Sequence, residues 1–229
     1  MAQAPAQPDT ALAVIIPVLN RRCELEATLR ALPAVAEVIV VDGGSTDGSA
    51  EVAGRLGAAV LVTKPSRGAQ LHAGAERARS DWLLLLHADT RLDEAAWAAV
   101  RRVIANGRAE RAGAFAFTLD DAAWQARLIE VGVRLRVALL ALPYGDQALL
   151  IHRRLYDEVG GYRDLPLMED VDLVRRLGRR RLARLEGRAI TSSERWRRRG
   201  WVRQSLANLR CLLLYAVGVP PERIARMRR

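Results

Sequence analysis

The sequence contains little cysteine and almost no lysine, and both shortages limit the classes of protein that it can encode. Its two cysteines, Cys23 and Cys211, lie far apart, which argues against a disulfide framework and against a zinc site with closely spaced ligands. A reducing cytosol fits this usage. Lys64 is the only lysine among 36 basic residues, so arginine supplies the formal net charge of +10. We attribute this skew to codon composition rather than to a polyanionic partner, because net charge alone reports on solubility and non-specific binding.

Long apolar runs are missing as well. The longest, residues 137–142 and 212–219, are shorter than the roughly 20 residues that a membrane-spanning helix needs. Residues 1–9 are polar and contain proline, without the basic and apolar regions of a secretory signal. We therefore expect a cytoplasmic protein, and any contact with the inner face of a membrane would be peripheral.

The first half of the sequence alternates short apolar runs with amphipathic segments. The apolar runs predict strands over residues 12–17, 37–42, 59–63 and 83–87. The segments between them have helical spacing and predict helices over residues 24–32, 47–57, 68–79 and 93–106. This alternation is typical of a parallel sheet with helices on both faces.

The second half has a mixed order. Strands are predicted over residues 113–119, 148–152, 182–185 and 189–192, and helices over residues 124–142, 169–180 and 201–217. No linker separates the halves, so we predict one domain over residues 1–229. Its expected parts are a first half (about 10–107), a second half (about 108–200), and an amphipathic helix with a basic tail (about 201–229).

Two of the predicted strands end in an aspartate. Residues 38–41 lead into Asp42 and a glycine-rich turn, and residues 82–86 lead into His87-Ala88-Asp89. The carboxyl ends of parallel strands meet at one edge of a sheet, where open α/β folds bind their ligands. Asp42 can accept a hydrogen bond from a base. Asp89 offers a hard oxygen ligand for Mg²⁺ or Mn²⁺ beside a diphosphate.

Four motifs resemble those of the family 2 glycosyltransferases, which have the GT-A fold. They are Ile15-Ile16-Pro17-Val18-Leu19-Asn20, Asp42-Gly43-Gly44-Ser45-Thr46-Asp47-Gly48-Ser49, His87-Ala88-Asp89 and Leu167-Met168-Glu169-Asp170. The resemblance covers most of the chain and implies an α/β fold whose mixed, mainly parallel sheet is flanked by helices. It also implies a metal-dependent, inverting, hexosyltransferase-type enzyme that uses a UDP- or GDP-sugar with Mn²⁺ or Mg²⁺. More narrowly, the chain resembles a small bacterial subfamily associated with radical-SAM and selenodomain proteins, of the arsenosugar-biosynthesis type.

The resemblance implies that the first half (about 10–107) binds the nucleotide and that the second half (about 108–200) is the acceptor side. It also implies a role for each motif. The expected nucleotide-binding residues are Pro17, Asn20, Asp42, Gly44, Ser45, Arg67, Gly68 and Ala88. Asp89 is the expected metal ligand, and Asp170 is the expected general base, which takes the proton of the attacking hydroxyl. His87 stands where the family has the first aspartate of its Asp-x-Asp site. The expected sugar or acceptor contacts are His87, Asp146, Gln147, Glu169, Arg195 and Trp196.

Several of these residues also have a structural interpretation. Asp42 can be a turn residue, Asn20 can hold the loop after the first strand, and Glu169 with Asp170 can be a charge pair at a helix N-terminus. Arg67 can be a solvated loop arginine, and Trp196 can pack in the core.

Three other functions remain open at this stage. A sugar-phosphate nucleotidyltransferase would be expected to have a glycine-rich loop after the first strand, and residues 17–22 contain no glycine. A nucleic-acid-binding protein is compatible with the charge, but no recognition motif is visible, so no nucleic acid is expected as a partner. A membrane-surface protein is compatible with the arginine-rich C-terminal helix. The acceptor, a small molecule or a lipid-linked group, and the oligomeric state also stay open.

Overall fold

The computed structural model describes residues 9–228, and within them the chain forms an eight-stranded mixed sheet with helices on both faces. Residues 1–8 and 229 lie outside the described residues, together with most of the segment used to assess a secretory signal. The strands are β1 (Asp9–Val18), β2 (Val35–Asp42), β3 (Ala59–Val62), β4 (Trp82–Leu85), β5 (Thr90–Leu92), β6 (Ala112–Leu119), β7 (Leu149–His152) and β8 (Leu182–Thr191). The predicted mixed α/β fold is confirmed.

Ten α-helices connect and cover the described strands. They are α1 (Arg22–Arg30), α2 (Ser49–Arg55), α3 (Arg67–Arg77), α4 (Glu94–Asn106), α5 (Trp124–Leu140), α6 (Arg153–Glu158), α7 (Glu169–Leu177), α8 (Glu194–Arg199), α9 (Trp201–Ala216) and α10 (Pro221–Arg228). Short 3₁₀ turns occupy Gly145–Gln147 and Arg179–Arg181.

The sheet has the order β3-β2-β1-β4-β7-β6-β8-β5. The strands β3, β2, β1 and β4 are parallel, as the β-α alternation of the sequence predicts. The strand β7 pairs antiparallel with both β4 and β6, and β5 pairs antiparallel with β8. The mixed second half therefore continues the sheet of the first half.

The core lies on both faces of the sheet, because successive residues of the central strands point to opposite sides. In β1, Val14 and Ile16 belong to one hydrophobic cluster, while Ala13 and Ile15 belong to the other. All four side chains are buried. Burial on both faces explains why β1 is a continuous apolar run rather than an alternating one.

Two predictions about elements of the second half need correction. The two small strands expected over 182–185 and 189–192 are one strand, β8, whose pairing with β6 shifts register between Ala114 and Ala116. A bulge of this kind lets a strand continue through an interruption of its pattern. The helix expected over 169–180 ends at Leu177, because Gly178 takes a positive φ of 75°.

The other differences concern elements without a clear pattern of their own. The elements β5, α6 and α8 are too short for hydrophobic periodicity to predict. The expected basic tail forms α10, which begins at Pro221, a residue type that suits the first turn of a helix.

Candidate active site

A cleft of about 790 Å³ opens where β1 and β4 end, within the range of about 300–1,000 Å³ typical of small-molecule sites. Of the residues predicted to bind nucleotide, metal or sugar, six line it: Pro17, Arg67, His87, Ala88, Asp89 and Arg195. The parallel pairing of β1 with β4 brings the first two loops of the site together. Since both strands point the same way, Pro17 and Asp89 reach the same edge although they lie far apart in sequence.

A smaller cavity of about 90 Å³ adjoins this cleft and shares Arg67, His87, Asp89 and Arg195 with it. The additional predicted residues in its lining are Asp146, Glu169, Asp170 and Trp196. The structure thus brings the expected metal ligand and the expected general base to one cavity, which the sequence could only suggest.

Asp42 is tied into the loop that follows it. Its Oδ1 accepts hydrogen bonds from the backbone N–H of Ser45 at 2.8 Å and from the Ser45 hydroxyl at 2.7 Å. The backbone N–H of Asn20 donates to the same hydroxyl oxygen at 2.8 Å, and Asn20 Oδ1 accepts from the backbone N–H of Thr46 at 2.8 Å. Asn20, Asp42 and Ser45 therefore hold the loops after β1 and β2 against each other. Because Asp42 is only 2% exposed, a contact with a base would need its other oxygen.

Two residues expected to contact ligand serve packing instead. A Cβ at Gly68 would lie 2.0 Å from the backbone oxygen of Arg163, so α3 approaches this segment too closely for a side chain. Gln147 is 3% exposed, and its amide donates to the Phe115 carbonyl while accepting from Arg136 and from the backbone N–H of Tyr144. The side chain of Gln147 is therefore occupied by bonds within the protein, and only a glycine fits at position 68. Gly44, in contrast, lies in an exposed turn with a positive φ of 90°.

Arg67 and Glu169 form a salt bridge of 3.0 Å between Nη1 and Oε1. Glu169 is 1% exposed, so its carboxylate is a partner for Arg67 rather than a contact for an acceptor in solvent. Burial raises the pKa of Glu169, and the nearby Arg67 opposes that shift. The pair therefore fixes the guanidinium of Arg67 at the wall that both cavities share.

Asp170 is held at the beginning of α7 by two backbone donors. Its Oδ2 accepts from the N–H of Gly145 at 2.9 Å, and its Oδ1 accepts from the N–H of Val171 at 2.7 Å. The side chain stays partly exposed. Gly145 also packs against His87, because a Cβ on this glycine would lie 2.4 Å from His87 Nε2. The loop at Gly145 thus joins Asp170 to the loop that carries Asp89.

Burial shifts the pKa values of two side chains of the small cavity in the direction that favours the neutral form. Burial, followed by the positive charges of Arg67 and Arg195, lowers the pKa of His87 to about 3, so its imidazole is neutral at pH 7. Burial raises the pKa of Asp146 to about 6, and the carboxylates of Asp170 and Asp89 add to this shift. Asp146 Oδ1 is buried without a hydrogen-bond partner among the described residues.

The residues of this cavity fit a divalent cation only when a ligand completes the site. Within residues 9–228, no three His, Cys, Asp or Glu side chains form a ready metal cluster. Asp89 and the unpartnered oxygen of Asp146 are nonetheless hard oxygen donors that line one cavity. Mg²⁺ and similar ions are commonly held by one or two carboxylates together with substrate phosphates. The donor set therefore suits a cation that arrives with a diphosphate.

Trp196 packs in the core and also lines the small cavity. It is buried on α8, and its ring centroid lies 6.2 Å from that of Phe117. Arg195 lines both cavities, and its charge acts on His87 and Asp146.

The sequence interpretation missed Gln70, whose side chain holds two strand ends. Its Nε2 donates to the carbonyls of Val18 at 2.9 Å and Val41 at 2.7 Å. Arg21, Arg198 and Arg199 line the cleft and were also missed. Their positions close in sequence to the predicted Asn20 and Arg195 were the available signal.

Comparison with known proteins identifies the family and the fold. Residues 13–129, slightly more than half of the chain, match the profile described as Glycosyl transferase family 2. Uncharacterized glycosyltransferases from Mycobacterium bovis and Mycobacterium tuberculosis are 40% identical over 84 residues, which is 36% of this chain. The matched region spans only 38% of the length of these relatives.

Solved structures share the fold at low identity. Mannosyl-3-phosphoglycerate synthase from Rubrobacter xylanophilus aligns with a TM-score of 0.59 and 18% identity, covering 91% of this chain and 75% of that one. Glucosyl-3-phosphoglycerate synthase from M. tuberculosis, in complex with Mn²⁺, UDP and glucosyl-3-phosphoglycerate, aligns with a TM-score of 0.53 and 19% identity, covering 80% of this chain and 70% of that one. A mannosyltransferase from Pyrobaculum calidifontis, in complex with GDP-Man and Mn²⁺, aligns with a TM-score of 0.56 and 15% identity, covering 80% of this chain and 58% of that one. At such identities the likeness establishes the GT-A fold alone.

Proposed function

The chain belongs to glycosyl transferase family 2, and from that premise we propose that it moves a sugar from a nucleotide-diphosphate sugar to an acceptor hydroxyl. The observation that carries the proposal is that Asp89 and Asp170 line one cavity at the end of a cleft large enough for a nucleotide sugar. We further propose that the transfer is metal-dependent and inverting, and that the sugar is a hexose.

Asp170 is the proposed general base. Its two backbone hydrogen bonds fix the carboxylate, and its partial exposure lets an acceptor hydroxyl reach it. The pKa of a sugar or alcohol hydroxyl lies far above 7, so removing the proton during attack accelerates the reaction by about 10²–10⁴-fold. Attack from the side opposite the departing diphosphate inverts the anomeric carbon.

The donor is proposed to occupy the cleft with its diphosphate near Arg67 and Asp89. Arg67 is held by Glu169 and carries a permanent positive charge that suits a phosphate. Asp89, with Asp146 beside it, would hold Mn²⁺ or Mg²⁺. Such an ion supplies positive charge next to the leaving diphosphate. Two solved structures with this fold contain Mn²⁺ with UDP or with GDP-Man, which supports a UDP- or GDP-sugar donor.

The roles of Pro17, Ala88, His87 and Arg195 are proposed from their place in the cleft. Pro17 and Ala88 form its wall, while neutral His87 can donate or accept a hydrogen bond with a sugar hydroxyl. The proposed acceptor is a small molecule or a lipid-linked group, and the proposed location is the cytoplasm with peripheral membrane contact. The relationship to the subfamily associated with radical-SAM proteins is likewise a proposal.

The test separates binding from chemistry in three variants. We expect Asp89→Asn to abolish Mn²⁺-dependent binding of UDP and GDP in calorimetry. Asp170→Asn should keep that binding and lose about 10²–10⁴-fold in transfer or in hydrolysis of the donor sugar. The exposed Asp81, remote from the cleft, provides the control Asp81→Asn, which should change neither quantity.

Two results would reject the proposal. One is that neither nucleotide nor any UDP- or GDP-sugar binds with Mn²⁺ present. The other is that both variants retain the turnover of the unchanged protein. The anomeric configuration of the product, read by NMR, tests inversion separately.

A further inference from the structure

Two helices expose apolar stripes to solvent. On α5 the stripe consists of Trp124, Leu128, Val131, Leu135 and Leu139, which are 46% to 70% exposed. On α9 it consists of Val202, Leu206, Leu209, Leu213 and Val217, which are 50% to 77% exposed. Spacing of three and four residues places each set on one face of its helix. A contiguous apolar surface of this kind marks an interaction site.

The two stripes point away from a shared core. The inward residues Ala126 and Val133 of α5 pack in one cluster with Trp201 at the beginning of α9. Leu142, two residues beyond the end of α5, packs in one cluster with Leu212 of α9. The stripes therefore lie on the sides of α5 and α9 that face away from these clusters. We call the two stripes together the α5/α9 surface.

The exposed charges of α5 and α9 themselves have one sign. The only acidic residue in the two helices is Glu130, which is buried and bonded to Arg127. Arg134, Arg203 and Arg210 are exposed. A groove of about 270 Å³ between α9 and α10 is lined by Arg199, Arg203 and Arg210 together with apolar residues such as Leu214 and Ile224. A surface with leucines at its centre and arginines at its sides is typical of helices that lie in a membrane interface.

We propose that the α5/α9 surface docks on an anionic lipid bilayer. None of the described helices is long and apolar enough to cross a membrane, so the stripes would enter the interface lying flat. The arginines favour anionic headgroups over a second copy of the chain. In a two-fold dimer the same patch meets itself, and these arginines would then face arginines without an acidic partner.

The place of the surface also suits the proposed transfer reaction. Arg199 lines both the groove beside α9 and the donor cleft, so the two openings are neighbours. A lipid-linked acceptor held in the bilayer would enter the cleft from this side. The docking inference itself does not depend on the transfer chemistry.

The experiment is co-sedimentation of the full chain with vesicles of phosphatidylcholine alone or mixed equally with phosphatidylglycerol. We expect binding to the mixed vesicles that falls with added salt. The double variant Leu135→Gln/Leu209→Gln should weaken this binding by at least about tenfold, because it removes two side chains that would leave water. Val62→Gln, which changes a 71% exposed apolar residue on β3, is the matched control and should bind like the unchanged chain.

Each alternative outcome overturns the proposal. Absence of binding to the mixed vesicles does so, as does equal binding by the double variant. Light scattering that shows a dimer, dissociated by the same double variant, would identify the surface as a self-interface. The double variant should not change Mn²⁺-dependent nucleotide binding. A failure of the docking proposal can therefore be distinguished from a failure of the proposed function.

Discussion

The unpartnered Oδ1 of Asp146 leads to a prediction about how the stability of the protein depends on pH. Its Oδ1 is buried without a hydrogen bond among the described residues, beside the carboxylates of Asp89 and Asp170. Charging this group in the folded protein without metal is therefore unfavourable. Asp146→Asn keeps the shape of the side chain and removes the charge.

The pKa shift gives both the sign and the size of the effect. Burial raises the pKa of Asp146 from its ordinary 3.8 to about 6, so between these values the folded chain holds a proton that the unfolded chain has released. The free energy of unfolding therefore decreases as the pH rises through this window. A difference of about two pKa units corresponds to about 3 kcal/mol. We expect Asp146→Asn to stabilise the protein by up to about 3 kcal/mol at pH 8 and by little at pH 4.

The assay is urea unfolding of the metal-free protein at pH 4, 6 and 8, followed by circular dichroism. Asp81→Asn removes a carboxylate that is exposed, and it should change stability by less than about 0.5 kcal/mol at each pH. A stability difference for Asp146→Asn that is the same at pH 4 and pH 8 would refute the reasoning. Added Mn²⁺ should narrow the difference, because it would stabilise the charged carboxylate of the unchanged protein.

Three further predictions concern the walls of the site. Gly68→Ala should lower the free energy of unfolding by about 1–3 kcal/mol, because the added methyl group overpacks the site. Gly54→Ala, in open space on α2, should instead raise the free energy of unfolding by about 0.5–1 kcal/mol. Urea unfolding measures both changes. His87→Gln should reduce the loss of stability that occurs as the pH falls from 6.5 to about 3. The reason is that the pKa of His87 is lower in the folded chain, so the unfolded chain binds the proton first. A free energy of unfolding that depends on pH as in the unchanged protein would contradict this. Arg67→Met should cost about 3–5 kcal/mol by leaving the buried Glu169 unpaired, and the added change Glu169→Gln should recover part of that loss in thermal unfolding.

The sequence by itself determined the parallel half of the sheet and the acids at its edge. The apolar runs that form β1, β2 and β4 are long enough to be identified, and parallel strands must place their carboxyl ends together. Asp89 was therefore predictable as a residue of the cleft from its position after β4. The motif that contains Asp170 was recognisable as well, although nothing in its own segment showed what it would face.

Only the tertiary structure decided which of these side chains share a cavity, which of them form ion pairs and how their pKa values shift. The salt bridge of Arg67 with Glu169 joins residues 102 positions apart, and no local pattern predicts such a contact. The lowered pKa of His87 and the raised pKa of Asp146 depend on burial by several elements at once. The apolar residues of α5 and α9 lie on several sides of each helix, so their spacing could not show which side meets the core. Periodicity and strand direction are properties of neighbouring residues, whereas burial and charge pairing arise when distant segments meet.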